Sequence, residues 1–287
     1  MKKFLCTSLI AACLGTGLFA ADTTSSEWEL FKNNISPSMM WGEDSVMLVP
    51  KANTLGKGHL YLSTMALDAG KIQNDRLFLT TNTIMLSTSD DVELGYSRRV
   101  FVWDNFDYTN IKMDTFHLKA RVFHLTDNYI PQLAIGVNLV SIAANKFNKE
   151  KDYLYNPYAA ITIRAPLGTE KAVLSITAMA EKVMNEGESS EPKFGGGVDL
   201  RLFNHLYLLG EIVGVDKDGK NGVINAGAKL KIGWFSIGGG VFNIGRDTII
   251  KDNQSTENTK NKRYWMANIS IDIPFDKLFK GDKKWKR

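Results

Sequence analysis

The side chains most able to do chemistry in this sequence are charges spaced two apart within apolar runs. Lys119 and Arg121 alternate with Leu118, Ala120 and Val122, and Lys229 and Lys231 alternate with Ala228, Leu230 and Ile232. In an extended strand a two-residue period puts all the charges on one face and all the apolar groups on the other. The same register carried along the chain collects Glu93, Arg99, Lys119, Arg121, Arg164, Glu181, Asp199, Arg201, Glu211, Lys229, Lys231 and Asp272 on one face. The set mixes both signs with a modest basic excess. Two readings fit it. In one, Arg99, Lys119, Arg121, Arg164, Arg201, Glu211, Lys229 and Lys231 line a lumen that favours an anionic solute. In the other, the charges pair with one another and fill a narrow interior, since buried charges without partners are costly.

Other constellations carry less. The histidines are His59, His117, His124 and His205, and none has His-x-x-x-His or Cys/His spacing for a metal. His117 is the one inward-facing histidine beside charges. A hydrolase would need a nucleophile next to it, and the sequence assigns no catalytic residue. Asp216-Lys217-Asp218-Gly219-Lys220-Asn221-Gly222 begins like a calcium loop, but Lys220 stands where the fifth-position oxygen ligand belongs, so a hairpin loop is expected. Gly195-Gly196-Gly197 and Gly238-Gly239-Gly240 open no helix and precede no Walker lysine, so no nucleotide loop and no cofactor is implied. Inside strands such glycines suit curvature and close packing around a barrel wall.

The elements that must position these charges are strands. Of the 287 residues, 44% are hydrophobic, yet beyond the N-terminus no run reaches the ~18 apolar residues of a membrane helix. Alternating segments recur over 59–67, 77–87, 92–103, 112–124, 132–144, 157–165, 171–183, 194–203, 206–215, 222–232, 234–244 and 263–275. Twelve is an even number, and each segment suits a tilted crossing of a bilayer. The connections alternate in length. Longer ones are expected at Asp68–Arg76, Asp104–Ile111, Asn145–Asn156, Met184–Lys193, Asp216–Asn221 and Gly245–Lys262. Short ones are expected at Ser87–Asp91, Thr126–Pro131, Pro166–Glu170, Asn204–His205 and Gly233. Short periplasmic turns and long external loops are the habit of outer-membrane barrels. The predicted fold is therefore all-β, an antiparallel transmembrane β-barrel of about 12 strands. Tyr61, Trp103, Tyr129, Tyr158, Tyr207, Trp234, Tyr264 and Trp265 fall near strand ends, where interfacial girdles sit.

The N-terminus reads as an export signal. Lys2 and Lys3 precede an uncharged apolar stretch that ends in Ala20 and Ala21. Ile10-Ala11-Ala12-Cys13 offers a rival cut, with a lipid on Cys13. Cys6 and Cys13 are the two cysteines, so the ordinary cut leaves neither thiol nor disulfide framework. The expected divisions are a signal peptide over 1–21, a periplasmic pre-barrel segment over 22–57, the barrel over 58–276 and a basic periplasmic tail over 277–287. Trp28, Leu30 and Phe31 fit a short amphipathic helix before Pro37. Part of the net charge of +4 lies in the tail. Export makes nucleic acid a poor partner. Outer-membrane lipid, the barrel assembly machinery and a polysaccharide or small anionic solute are the partners expected.

Two stretches resemble a known family. Val49-Pro50-Lys51-Ala52-Asn53-Thr54-Leu55-Gly56-Lys57-Gly58 resembles the entry to the first strand of YjbH-like outer-membrane barrels. Leu118-Lys119-Ala120-Arg121-Val122-Phe123 followed by Tyr129-Ile130-Pro131-Gln132-Leu133-Ala134-Ile135-Gly136 resembles a hairpin of the same family. Val122-Phe123 departs from the family pattern, as does the lack of a Gly-rich segment after Gly136. The resemblance implies a barrel linked to exopolysaccharide production or export and supplies no catalytic residues. A closed structural or adhesion barrel with partner-binding loops is the alternative, and an outer-membrane hydrolase a third.

Overall fold

Alternating segments become long strands wherever the computed structural model describes them, over residues 45–72, 75–103, 109–122, 131–144, 149–185, 188–219, 222–242 and 264–275. The signal peptide, Cys13, the Trp28–Phe31 helix, His124, the loop over 252–262 and the basic tail lie outside the described residues. The strands are β1 (His59–Ile72), β2 (Asp75–Ser87), β3 (Val92–Trp103), β4 (Thr109–Arg121), β5 (Gln132–Ala144), β6 (Lys149–Leu167), β7 (Thr169–Glu181), β8 (Met184–Asn185), β9 (Glu188–Ser189), β10 (Lys193–Leu202), β11 (Leu206–Val215), β12 (Val223–Ile232), β13 (Phe235–Phe242) and β14 (Tyr264–Pro274). Neighbours pair antiparallel, β7 pairs with β10, and β14 returns to β1 from His59↔Pro274 to Asp68↔Trp265. The two-residue strands β8 and β9 form a side hairpin on β6. The other twelve close into a ring, which leaves no unpaired strand edge along the wall.

Parity sorts the side chains. In β4, Phe116 and Leu118 are exposed outside while Thr115, His117 and Lys119 are buried inside. In β14, Trp265 and Ile269 are exposed, at 64% and 60%, while Asn268 and Ser270 are buried. The outer surface thus carries Ile84, Leu94, Ile135, Ile161, Ile176, Val198, Ile224 and Ile237 around the circumference. This apolar surface far exceeds what a water-soluble monomer leaves bare. On the β1–β5 side a polar row interrupts it. Thr64 donates to Asn82 at 2.9 Å, and Arg98 pairs with Asp114 at 2.7 Å under the Tyr96 hydroxyl.

One end of the barrel is closed by tight turns. Ser89 Oγ accepts the N–H groups of Asp91 and Val92, and Phe203, Asn204, Gly168 and Gly233 take positive φ as tight hairpins demand. The other end departs from expectation. The segment read as the loop Asp68–Arg76 is mostly strand, since β1 and β2 continue past a bulge to Ile72↔Asp75. Likewise β6 starts at Lys149 rather than 157, and Met184–Lys193 contains the β8–β9 hairpin. The β1–β2 extension passes the last rungs to β14 and β3 and pairs only with itself. The early part of β6, by contrast, is wall: it pairs with Asn138–Ile142 of β5, with Leu154 and Asn156 buried inside and Tyr153 and Tyr155 exposed outside. Lys217, in the loop after β11, pairs with Glu191 at 2.6 Å, and this hydrogen bond raises the pKa of its ammonium.

The aromatic expectation is corrected by parity. Tyr61, Tyr158 and Tyr264 point inward and are buried, and Tyr207 packs against the interior core, whereas Trp234 and Trp265 are outside. Gly136 explains Tyr158: a Cβ there would lie 2.4 Å from the ring, so the glycine makes the space that the tyrosine fills. Tyr153 and Tyr155 are the tyrosines exposed on the outer face of β6. The side chain of Trp103 and all of Tyr129 lie outside the described residues.

Candidate functional site: a lumen occupied by the chain's own segment

The ring is not empty. Residues 45–55, which precede β1, lie inside it, and Val46, Met47, Leu48, Val49, Ala52 and Asn53 are each no more than 6% exposed. A bridge between Ser45 and Pro50, with the Val46 N–H donating to the Val49 carbonyl at 2.9 Å, folds the segment into a tight turn. The turn leaves three consecutive N–H groups pointing the same way. Glu211, midway along β11, takes all three: Met47 at 2.9 Å, Leu48 at 2.9 Å and Val49 at 3.0 Å. Asn225 on β12 donates to the same carboxylate at 2.9 Å. A nest of backbone amides is a natural anion site, and here the anion is a side chain of the wall.

The wall is shaped for this turn. A Cβ on Gly197 would lie 2.7 Å from Val46, and one on Gly240 would lie 2.8 Å from Met47. The inward glycines of the two triplets thus leave room for the occupying segment.

From the turn the segment runs along the wall toward β1, held at each step. Lys51 pairs with Asp199 of β10 at 3.4 Å. The Ala52 N–H donates to Thr162 of β6 at 2.9 Å, and Asn53 hydrogen-bonds Gln132 of β5. Lys119 of β4 donates to the Asn53 carbonyl at 2.5 Å and pairs with Glu93 of β3 at 3.2 Å. The Leu55 N–H donates to Glu93 at 3.2 Å. Lys119 and Glu93 are both fully buried, so each supplies the compensation the other needs. Beside them His117 is 2.8 Å from Asn138, 3.4 Å from the Tyr158 hydroxyl and 3.5 Å from Glu93. Asn138, Asn156 and Glu181 continue a side-chain ladder across β5, β6 and β7 at 3.0 and 3.1 Å.

The other candidate lining residues distribute as follows. Arg99 is buried in the β3 wall. Arg121 bends to the tight turn and binds Asp91 at 2.8 Å. Lys229 sits 5.0 Å over the Tyr207 ring. Arg164, Arg201 and Lys231 gather near the tight-turn end with Asp199 and Asp272. On the β14–β4 side the wall is hydroxyl-rich, with Ser63, Thr81, Thr83, Ser97, Thr115 and Ser270 all buried. Among the described residues no cluster of three or more metal-ligating side chains occurs. Sequence reasoning missed the occupying segment itself. Its signal was the run Val46-Met47-Leu48-Val49, too apolar for a solvated leader.

No protein-family model matches the chain, and no curated protein matches it. Solved structures do resemble it. The KdgM porin in complex with disordered oligogalacturonate is 10% identical, with a TM-score of 0.51, covering 74% of this chain and 98% of that one. The KdgM porin alone is 11% identical, with a TM-score of 0.49 and coverage of 74% and 98%. The Acinetobacter baumannii outer membrane protein Omp33 is 7% identical, with a TM-score of 0.45 and coverage of 77% and 100%. The likeness is one of fold: the chain has the barrel architecture of outer-membrane proteins.

Proposed function

We propose that this chain spans a bacterial outer membrane as a non-enzymatic barrel for solute passage, with residues 45–55 as a plug that must shift before solute passes. One observation carries the reading. The segment in the lumen is held by side-chain-to-backbone hydrogen bonds and ion pairs rather than by strand pairing, so it can leave without breaking the ring. The outward apolar surface supports insertion in lipid, and the export signal supports delivery to the assembly machinery. The hydroxyl-rich wall and the basic side chains support a polar, anionic cargo. The resemblance to YjbH-like barrels supports a saccharide, and the oligogalacturonate complex of the KdgM porin supports an acidic one. The test is swelling of liposomes that carry the protein in isosmotic sugar acid. Swelling with wild type, faster with Glu211→Ala, is the expected result.

A second reading has its own support. Glu211 alone holds three consecutive backbone groups, a density of bonding that suits a permanently filled structural barrel with partner-binding loops. Liposomes that stay tight with both proteins would favour it.

A further inference from the structure

We propose that the cavity at the tight-turn end of the lumen is a binding site for a small oxyanion, a carboxylate or phosphate group carried by a solute, seated between Arg164 and Arg201. The cavity measures about 200 Å³, and its charged lining is Lys51, Arg164, Asp199, Arg201, Lys231 and Asp272. Both carboxylates are already engaged. Asp199 takes Lys51 at 3.4 Å and the Ser175 hydroxyl at 3.3 Å. Asp272 takes Lys231 at 3.0 Å and His59 at 2.7 Å. The two guanidiniums share neither set of contacts, although Arg164 lies within electrostatic reach of Asp199 and of Arg201. Among the described residues neither makes a hydrogen bond or an ion pair, and Arg201 Nε is buried with no partner.

The topology aims them at one space. Arg164 on β6 lies opposite Ser175 on β7, and Arg201 on β10 lies opposite Val173 on β7. One strand separates them, about 10 Å between backbones. Each guanidinium offers a planar fork of donors suited to a carboxylate or phosphate. A cation would find no free carboxylate here, and a neutral sugar would give neither guanidinium an anion to pair with. The volume decides the size of the ligand. Drug-sized ligands occupy roughly 300–1,000 Å³, so this cavity takes one sugar acid or phosphate group and not a folded oligomer. Lys231 and Asp272 keep 21% and 12% side-chain exposure, which opens the cavity to solvent.

The opposite side of the cavity is the plug, through Lys51, Asn53, Thr54 and Leu55. An anion seated there touches wall and plug together, so its binding and the plug's position are linked, each favouring the other. The inference takes from the proposed function only that solutes reach the lumen.

The test is calorimetric titration of the full chain, refolded in detergent micelles, with inorganic phosphate, glucuronate and glucose. Saturable binding is expected for phosphate, glucuronate or both, and none for glucose. Affinity should fall at least tenfold in Arg164→Gln/Arg201→Gln and stay unchanged in Lys217→Gln on the exposed loop. The double variant removes two cations that make no hydrogen bond or ion pair among the described residues, so it should fold. Its unfolding temperature without anion should equal or exceed that of wild type, and added anion should raise wild type alone. Folded wild type that binds neither anion, glucose binding as tightly as glucuronate, or a double variant that binds as wild type does would overturn the site. Swelling reports separately: tight liposomes with anion bound would sink the passage reading alone, and passage without anion binding would sink the site alone.

Discussion

Replacing Glu211 with alanine is the sharpest perturbation of the plug. In the wild type its carboxylate accepts from the Met47, Leu48 and Val49 N–H groups at 2.9–3.0 Å, in a region with these residues no more than 6% exposed. Alanine leaves three donors without an acceptor whenever the turn is seated. A buried orphaned donor costs about 1–3 kcal/mol. The low end applies, because seating the plug on the variant no longer desolvates a carboxylate. Three donors at that end give about 3 kcal/mol against the seated state, or about a hundredfold shift toward release at 1.4 kcal/mol per tenfold. The downstream anchors at Thr162, Gln132, Lys119 and Glu93 are untouched, so release should be confined to the tip. A cysteine at Val46, with Cys6 and Cys13 replaced by serine, reports it through its rate of modification by a small hydrophilic maleimide. The rate should rise about a hundredfold on adding Glu211→Ala. An unchanged rate in a folded variant would refute the claim that Glu211 holds the tip.

Other outcomes follow from the same geometry. Gly197→Val drives side-chain atoms into Val46, 2.7 Å from the first added carbon, and should also expose a cysteine at residue 46. Ile269→Lys puts a cation on the lipid face at roughly 2–4 kcal/mol near the midplane, and should lower the yield of heat-modifiable barrel more than Asn268→Gln inside. A cysteine at Asp218, exposed at the loop end, should react with an impermeant reagent on intact cells, whereas one at Asn204 in the opposite turn should not. Deleting 277–287 should leave assembly intact. Deletion from Ile269 onward removes the β14 residues that pair with His59–Thr64 and should abolish it, read as loss of the heat-modifiable band.

The wall was legible because a bilayer imposes alternation. Lys119 and Arg121 against Leu118 and Ala120, or Asn268 and Ser270 against Ile269 and Ile271, could be sorted from spacing alone. Legibility stopped where that constraint stops. The extension at Lys71–Arg76 stands beyond the ring and read as a loop. The first half of β6 read as a loop because its polar run Lys149-Glu150-Lys151-Asp152 hid a stretch of wall that pairs with β5. Tyrosines were assigned to the outside from their positions near strand ends, but Tyr61, Tyr158 and Tyr264 sit at inward parity. The plug has no period at all. Its order comes from Glu211, Thr162, Lys119 and Glu93, which are distant in sequence and reach its backbone. Backbone partners leave no mark on residue type, so Ser45–Lys57 read as a leader to the barrel. The clues were Glu211 in an otherwise apolar strand and inward glycines facing an apolar Val-Met-Leu-Val run.

A reversible lock on the plug tests the central claim most directly. A Cβ at residue 197 lies 3.1 Å from the Val46 Cβ, within a few tenths of an ångström of disulfide spacing. Val46→Cys/Gly197→Cys in the Cys6→Ser/Cys13→Ser background should therefore tie the tip to the wall when oxidised. In planar bilayers the account predicts no channel openings from the oxidised protein and openings restored by reductant. Openings that persist with the lock closed would show that solute does not pass where the plug sits. Silence in both states would show that the barrel is not a passage.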